Sequence, residues 1–126
     1  MVFLRKQEVL QIHAKLIKEF GGSHGLRDSG ALESALTAAE NRSHYADADV
    51  ATCAATYAFH LSQAHAFVDG NKRIAAAVAE IFLDVNNAQL NATNDEIFSL
   101  FLRIAAGELS REEVERFFLA IVTVNP

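Results

Sequence analysis

The amino-acid sequence predicts an all-α protein in which about six helices pack around one hydrophobic core. Three features indicate this fold class: a single proline, little alternation of β-branched side chains, and apolar residues spaced three and four positions apart. The 126 residues contain no linker rich in proline, glycine and serine, so we predict one domain over residues 1–126. A chain of this length typically buries about two-thirds of its unfolded surface, so its core needs no disulfide or structural metal.

The first half of the chain is predicted to form three helices. The first helix is predicted from one apolar face and ends at Gly21 and Gly22. The apolar face carries Val9, Ile12, Leu16, Ile17 and Phe20. Asp28 is expected to cap the second helix and Asp49 the third. Their inward-facing residues are Leu32, Ala35, Leu36 and Ala39, and then Val50, Ala54, Tyr57 and Leu61. The polar stretch Asn41–Asp49 between them is predicted to be an exposed loop.

The second half is predicted to form three more helices. The fourth begins near Asn71 and is expected to be the central helix, because Ala75–Ala77 lets neighbouring helices approach closely. Its core face carries Ile74, Val78, Ile81, Phe82 and Val85. Two capping boxes open the last two helices: Thr93 with Glu96, and Ser110 with Glu113. Their core faces carry Ile97, Leu100, Phe101 and Ile104, and then Val114, Phe117, Phe118 and Ile121.

Charge and cysteine content limit the class of protein. The formal net charge of -5 argues against general nucleic-acid binding, because phosphate backbones are held by clustered lysine and arginine. Cys53 is the only cysteine, which excludes an intrachain disulfide and suits a reducing cytosol. No signal-peptide core precedes the first helix, and Glu80 and Asp84 interrupt the longest apolar stretch. We therefore expect a cytoplasmic protein without direct contact to nucleic acid or membrane.

The segment His65–Arg73, which reads His-Ala-Phe-Val-Asp-Gly-Asn-Lys-Arg, carries the chemically informative residues. His65 falls at the predicted end of the third helix and can accept a proton from a hydroxyl group, because a neutral imidazole is available near physiological pH. Phe67 is expected to anchor the loop in the core. Asp69 offers the hard carboxylate oxygen that Mg²⁺ prefers when it also binds substrate phosphates.

The same segment predicts an anion site. Gly70 and Asn71 lead into the first turn of the fourth helix, whose free N–H groups and dipole favour a negative charge. Lys72 and Arg73 add positive charge at the helix end where a purely structural role would favour acids. We therefore predict binding of a phosphate group here. The other histidines are interpreted as ordinary surface or core residues: His13, His24, His44 and His60.

The segment His65–Ala76 resembles the Fic/Doc family signature, H-P-F-x-(D/E)-G-N-G-R-x-x-R. The segment Phe20–Leu36 is similar to the N-terminal part of the family's Doc ("death on curing") branch, and Ala105–Glu108 is similar to its C-terminal part. The resemblance therefore extends over nearly the whole chain. It implies an all-helical fold and the transfer of part of ATP, with Mg²⁺, to a protein hydroxyl group.

The resemblance also implies roles for single residues. His65 would be the catalytic base, Asp69 would bind Mg²⁺, and Arg73 would neutralise phosphate charge. The phosphate-binding nest would be lined by Gly70, Asn71 and Lys72. The stretch Asn41–Asp49 falls where the family has a flap that aligns the target segment.

Three positions differ from the signature: Ala66 replaces the proline, Lys72 the glycine and Ala76 the second arginine. The last two differences point toward the Doc branch, whose members resembling this chain are toxins that phosphorylate elongation factor Tu with ATP bound in the reversed direction. Self-restrained Fic proteins carry the motif (S/T)-x-x-x-E-(G/N). The segment Ser29–Ser34 comes near this motif but ends in serine, so restraint by a separate Phd-like antitoxin is expected.

Three hypotheses follow for the function. The leading one is a Doc-like toxin, a protein kinase that transfers the γ-phosphate of ATP to a hydroxyl of elongation factor Tu, with catalytic roles for His65, Lys72 and Arg73. The second is a Fic-like AMP-transferase with the same base and metal ligand. The third is a non-catalytic helical binding module that keeps the loop only as a phosphate-binding or structural turn.

Overall fold

A computed structural model of the chain describes residues 1–126 and contains six helices and one small two-stranded sheet. The helices are α1 (Lys6–Phe20), α2 (Ser29–Ala46), α3 (Val50–Ala64), α4 (Asn71–Val85), α5 (Asn94–Ala105) and α6 (Arg111–Ile121). The strands are β1 (Ala88–Leu90) and β2 (Val122–Val124). The predicted all-α fold class is confirmed.

Four of the six helices, α2, α3, α5 and α6, begin at the capping residues that the sequence predicts. The Asp28 carboxylate accepts from the N–H of Ala31 at 3.0 Å, and the Asp49 carboxylate accepts from the N–H of Thr52 at 2.8 Å. Both capping boxes are present, in which each pair satisfies two N–H groups of the helix start: Thr93 with Glu96, and Ser110 with Glu113.

The predicted loop Asn41–Asp49 is wrong over most of its length, because α2 continues to Ala46. Arg42 in this stretch donates to the Glu115 carboxylate of α6 at 2.7 Å, which attaches the last turns of α2 to the helical bundle. The stretch is polar because these turns face solvent, and Tyr45 is 86% exposed. The structure therefore has the last turns of a helix at this position, where the family resemblance implies a flap.

The helix enclosed on most sides is α3, whereas the sequence predicts α4 as the central one. Nine of the fifteen residues of α3 are buried, and it packs against α2, α4, α5 and α6. Small residues in α3 allow this close packing: Ala51, Cys53, Ala54, Ala55 and Ala58. α4 lies beside α3 and contacts α1, α5 and β1. Burial raises the pKa of the Cys53 thiol to about 11, because the apolar surroundings disfavour the thiolate.

Three residues of the predicted core faces lie exposed instead, at helix ends or on an outer face: Phe20, Val85 and Phe117. The antiparallel sheet is an addition to the prediction, with Ala88 opposite Val124 and Leu90 opposite Val122. Strands of three residues are too short to show a periodic pattern in the sequence. None of the helices combines the length and the apolar character that crossing a membrane requires.

Candidate active site

His65 ends α3 in a left-handed backbone conformation, with φ 48° and ψ 42°. For a residue other than glycine this conformation costs about 1–2 kcal/mol. The Arg27 guanidinium donates to the His65 carbonyl at 2.7 Å and helps to hold the turn. The left-handed turn directs the chain out of α3 and leaves His65 exposed, so its ring is accessible from solvent.

The loop after His65 is held from inside the protein. Phe67 is 2% exposed and packs in the core, as predicted. The Asn71 side chain accepts from the Phe67 N–H at 3.0 Å and donates to the Phe67 carbonyl at 2.9 Å. Because these two hydrogen bonds occupy the Asn71 side chain, Asn71 would contribute to an anion site through its backbone N–H.

A second segment pairs with the loop along its outer edge. Residues 25–28 run antiparallel to residues 66–68. Two N–H groups of the first segment donate to the Ala66 carbonyl at 2.7 and 2.9 Å, and the Val68 N–H donates to the Gly25 carbonyl at 3.0 Å. The element beside residues 66–68 is therefore the loop between α1 and α2, and not the end of α2.

The Asp69 carboxylate is oriented by two backbone donors. Its Oδ2 accepts from the Ser23 N–H at 3.1 Å and its Oδ1 accepts from the Gly70 N–H at 2.8 Å. The Ser23 N–H, and after it the Gly70 N–H, lower the pKa of Asp69 below its ordinary value because both bonds favour the ionised form. Asp69 does not cap α4, since the N-cap position is occupied by Gly70 and no side chain bonds to the helix start.

The start of α4 is open to an anion. Gly70 has φ 76° and brings the chain into the helix, whose first-turn N–H groups belong to Asn71, Lys72 and Arg73. Lys72 and Arg73 are exposed and form no salt bridge. Two full positive charges therefore add to the partial charge of the helix dipole at one place.

These residues line a cleft of about 690 Å³ between α4 and α5. One end is polar and is formed by residues 69–73, and the opposite wall is apolar and carries Ile97, Phe98 and Phe101. Ala76 lines the cleft where the family signature has its second arginine, which leaves that side uncharged. An anion-binding end and an aromatic wall suit the phosphates and the base of a nucleotide. The sequence gives no indication of the α5 wall, because Ile97 and Phe101 also fit an ordinary core face and Phe98 lies outside the predicted one.

The structure thus brings five predicted residues together and leaves one apart. Asp69, Gly70, Asn71, Lys72 and Arg73 all line the cleft, whereas His65 lies outside its lining at the start of the loop. No group of three or more histidine, cysteine, aspartate and glutamate side chains could hold a metal ion. The donor set fits Mg²⁺ held by one carboxylate together with substrate phosphates, and does not fit a closed zinc site.

His13 supports the site in a way that the sequence interpretation missed. It is 3% exposed, its Nε2 lies 2.7 Å from the Asp69 carbonyl oxygen, and its ring stacks on Phe67 with centroids 3.8 Å apart. A signal was present in the sequence, because Val9, His13 and Ile17 follow helical spacing on a buried face. A histidine on such a face needs a hydrogen-bond partner inside the protein.

Comparisons with known proteins agree with these features. Residues 3–83 match the Fic/DOC family. The chain is 30% identical over 115 residues to the "Protein kinase doc" of Escherichia phage P1, covering 90% of each chain. It is 40% identical over 78 residues to the "Toxin Doc" of Mycolicibacterium smegmatis, covering 60% of each chain. The resemblance found in the sequence is therefore confirmed, and the chain belongs to the Fic/Doc family.

Proposed function

We propose that this chain is a cytoplasmic Doc-like toxin that transfers the γ-phosphate of ATP to a hydroxyl group of elongation factor Tu. The observation that carries the proposal is the position of Lys72, which adds a charged side chain to the anion-binding end of the cleft. The names of the two relatives, a protein kinase and a toxin, support the same function.

The residues of the cleft would stabilise the charge that develops during transfer. The N–H groups at the start of α4, the Lys72 ammonium and the Arg73 guanidinium would bind phosphate oxygens. Asp69 would hold Mg²⁺, which when bound neutralises phosphate charge. Phosphoryl transfer depends mainly on such positioning and charge stabilisation, so few groups are needed.

His65 would act on the target protein. Its exposed ring at the start of the loop is accessible to a hydroxyl group that arrives from solvent. The target oxygen would form a bond to the γ-phosphorus, the bond to the β,γ-bridging oxygen would break, and ADP would leave. The proton of the hydroxyl would pass to His65, a contribution of roughly 10²–10⁴-fold to the rate.

Two features of the cleft favour γ-phosphoryl transfer over AMP transfer. A glycine in place of Lys72 would leave the helix start open for a diphosphate, whereas the lysine side chain occupies part of this space and attracts a terminal phosphate. Ala76 lines the cleft without the second arginine that the AMP-transferase signature carries. These two differences support the orientation of ATP in which the γ-phosphate lies near the start of α4.

Restraint by a separate Phd-like antitoxin is part of the proposal. The glutamate of the segment that resembles the inhibitory motif is Glu33, and its carboxylate binds the Lys6 ammonium at 2.8 Å. The same ammonium also binds the Ser29 hydroxyl. Glu33 does not line the cleft. The segment is therefore attached to α1, which supports a restraint supplied by another protein.

The test uses elongation factor Tu with ATP labelled at either the α- or the γ-phosphate, and mass spectrometry of the target. We expect a gain of one phosphate with the wild type. Lys72→Gly should lose this transfer because the cation is removed, and it should not gain AMP transfer because Ala76 still leaves the second arginine missing. Lys15→Ala, an exposed lysine outside the cleft, is the matched control and should act like the wild type.

Two results would contradict the proposal. A gain of one AMP by the target with the wild type would assign the chain to the AMP-transferases. No mass gain on elongation factor Tu, together with no growth arrest on expression, would favour the non-catalytic binding module.

A further inference from the structure

The buried residues include no lysine, arginine, aspartate or glutamate, and His13 is the only histidine among them. It lies on the apolar face of α1, one turn from Val9 and one turn from Ile17. Burial of an imidazole is unfavourable unless a hydrogen bond compensates the lost water. The compensating contact of His13 goes to the loop of the candidate active site.

The hydrogen bond defines which ring nitrogen carries the proton. A carbonyl oxygen can only accept, so Nε2 of His13 donates to the Asp69 carbonyl at 2.7 Å. This carbonyl belongs to the same planar peptide unit as the Gly70 N–H. The Gly70 N–H donates in turn to Oδ1 of Asp69 at 2.8 Å. His13 therefore holds one end of a peptide unit whose other end orients the Asp69 carboxylate.

Two further contacts of His13 support the same loop. Its ring stacks on the Phe67 ring at an interplanar angle of 13°. A Cβ atom on Gly70 would lie only 3.5 Å from the His13 Nε2 and 3.2 Å from Cδ1 of Ile17, so α1 lies directly against the Gly70 backbone. Rotation of the peptide unit between Asp69 and Gly70 would break both hydrogen bonds at once.

We infer that His13 is a positioning residue for the candidate active site. It does not line the cleft, and it acts by setting the Asp69–Gly70 peptide so that the carboxylate faces the cleft and the start of α4 stays open. The inference rests on the proposed function only where it concerns Mg²⁺–ATP. The orientation of the peptide unit can be tested without nucleotide.

Substitutions separate the two contacts of His13. His13→Phe keeps a ring that can stack on Phe67 but removes the donor, whereas His13→Gln keeps an N–H donor at a similar distance. Val9→Ala is the matched control, because it removes packing from the same face of α1, one turn away from His13. We expect His13→Phe to need roughly 10–100-fold more Mg²⁺ for half-maximal ATP binding, the range typical of lost supporting contacts around metal ligands. The Mg²⁺ concentration that His13→Gln needs should stay within about threefold of that of the wild type. Val9→Ala should need the same Mg²⁺ concentration as the wild type.

Hydrogen exchange of the Gly70 amide supplies the readout that is independent of nucleotide. His13→Phe should accelerate this exchange by about tenfold or more, because the bond from the Gly70 N–H to Asp69 is lost. The Val68 amide, which bonds to the Gly25 carbonyl, should keep its rate. If Val9→Ala accelerates exchange at Gly70 as much as His13→Phe, the inference is wrong and His13 only stabilises the fold. If the wild type fails to bind Mg²⁺–ATP while the exchange results hold, the proposed function fails and the positioning role of His13 stands.

Discussion

The guanidinium carbon of Arg73 lies 4.9 Å from the centre of the Phe20 ring, at the end of α1. Phe20 is 63% exposed, although its helical spacing predicts a core position. Arg73 forms no salt bridge, so the aromatic face is the contact that orients its charged group beside the cleft. A cation–π contact at an exposed site contributes about 0.5–1 kcal/mol.

Phe20→Leu should therefore lower the rate of phosphate transfer by about two- to fivefold, the range that this contact energy allows. The melting temperature should change little, because the ring is mostly exposed. Phe20→Tyr keeps the aromatic face and serves as the control with a wild-type rate. Equal transfer rates for the leucine and tyrosine variants would show that the ring does not position Arg73.

Gly22 and Gly21 form a matched pair of sites for alanine substitution. Both have positive φ, 114° and 85°, so alanine strains the backbone at either position by about 1–2 kcal/mol. A Cβ atom on Gly22 would lie 2.6 Å from Oδ2 of Asp69, whereas one on Gly21 meets nothing within 4 Å. The carboxylate can move away only by leaving the Ser23 N–H.

We expect Gly22→Ala to reduce the stabilisation that Mg²⁺–ATP gives to the protein, and Gly21→Ala to retain it. Thermal melts of both variants with and without Mg²⁺–ATP measure the difference. The same response of both variants to Mg²⁺–ATP would mean that the Ser23 contact does not orient Asp69.

The lowered pKa of Asp69 predicts how its contribution to stability depends on pH. The Ser23 N–H and the Gly70 N–H favour the ionised carboxylate in the folded state. Its stabilising contribution is complete above the ordinary pKa of an aspartate, about 3.9, and is lost as the pH falls through the lowered value. The difference in melting temperature between the wild type and Asp69→Asn should therefore be largest near about pH 7 and shrink below about pH 4. A difference that is constant with pH would contradict the assignment.

His65 substitutions should abolish phosphate transfer and toxicity without unfolding the protein. The ring is exposed, and loss of a general base typically lowers the rate roughly 10²–10⁴-fold. His65→Ala removes the base but places alanine at φ 48°. His65→Asn is the better variant, because asparagine tolerates the left-handed conformation. Growth arrest by either variant, at expression equal to the wild type, would show that His65 is not the base.

The starts of the helices and the chemistry of the loop could be predicted from the sequence because the deciding contacts are local. The capping aspartates and both capping boxes bond to N–H groups three residues away, so these contacts form wherever a helix starts. The residues of the candidate site could also be predicted, since the contiguous segment His65–Arg73 contains the histidine, the carboxylate and the two cations. The family resemblance rests on the same local segment.

The orientation of the site depends on contacts between residues far apart in the chain. His13 and Ser23 reach Asp69 from 56 and 46 residues away, and residues 25–28 pair with residues 66–68. The Arg42–Glu115 ion pair, 73 residues apart, similarly stabilises the end of α2, where the sequence alone predicts a loop. The amino-acid sequence by itself determined which groups are present and where the helices start, because these depend on neighbours within a turn. Only the packing of α1 and of the loop after it against the start of α4 decided how the Asp69 carboxylate and the start of α4 face the cleft.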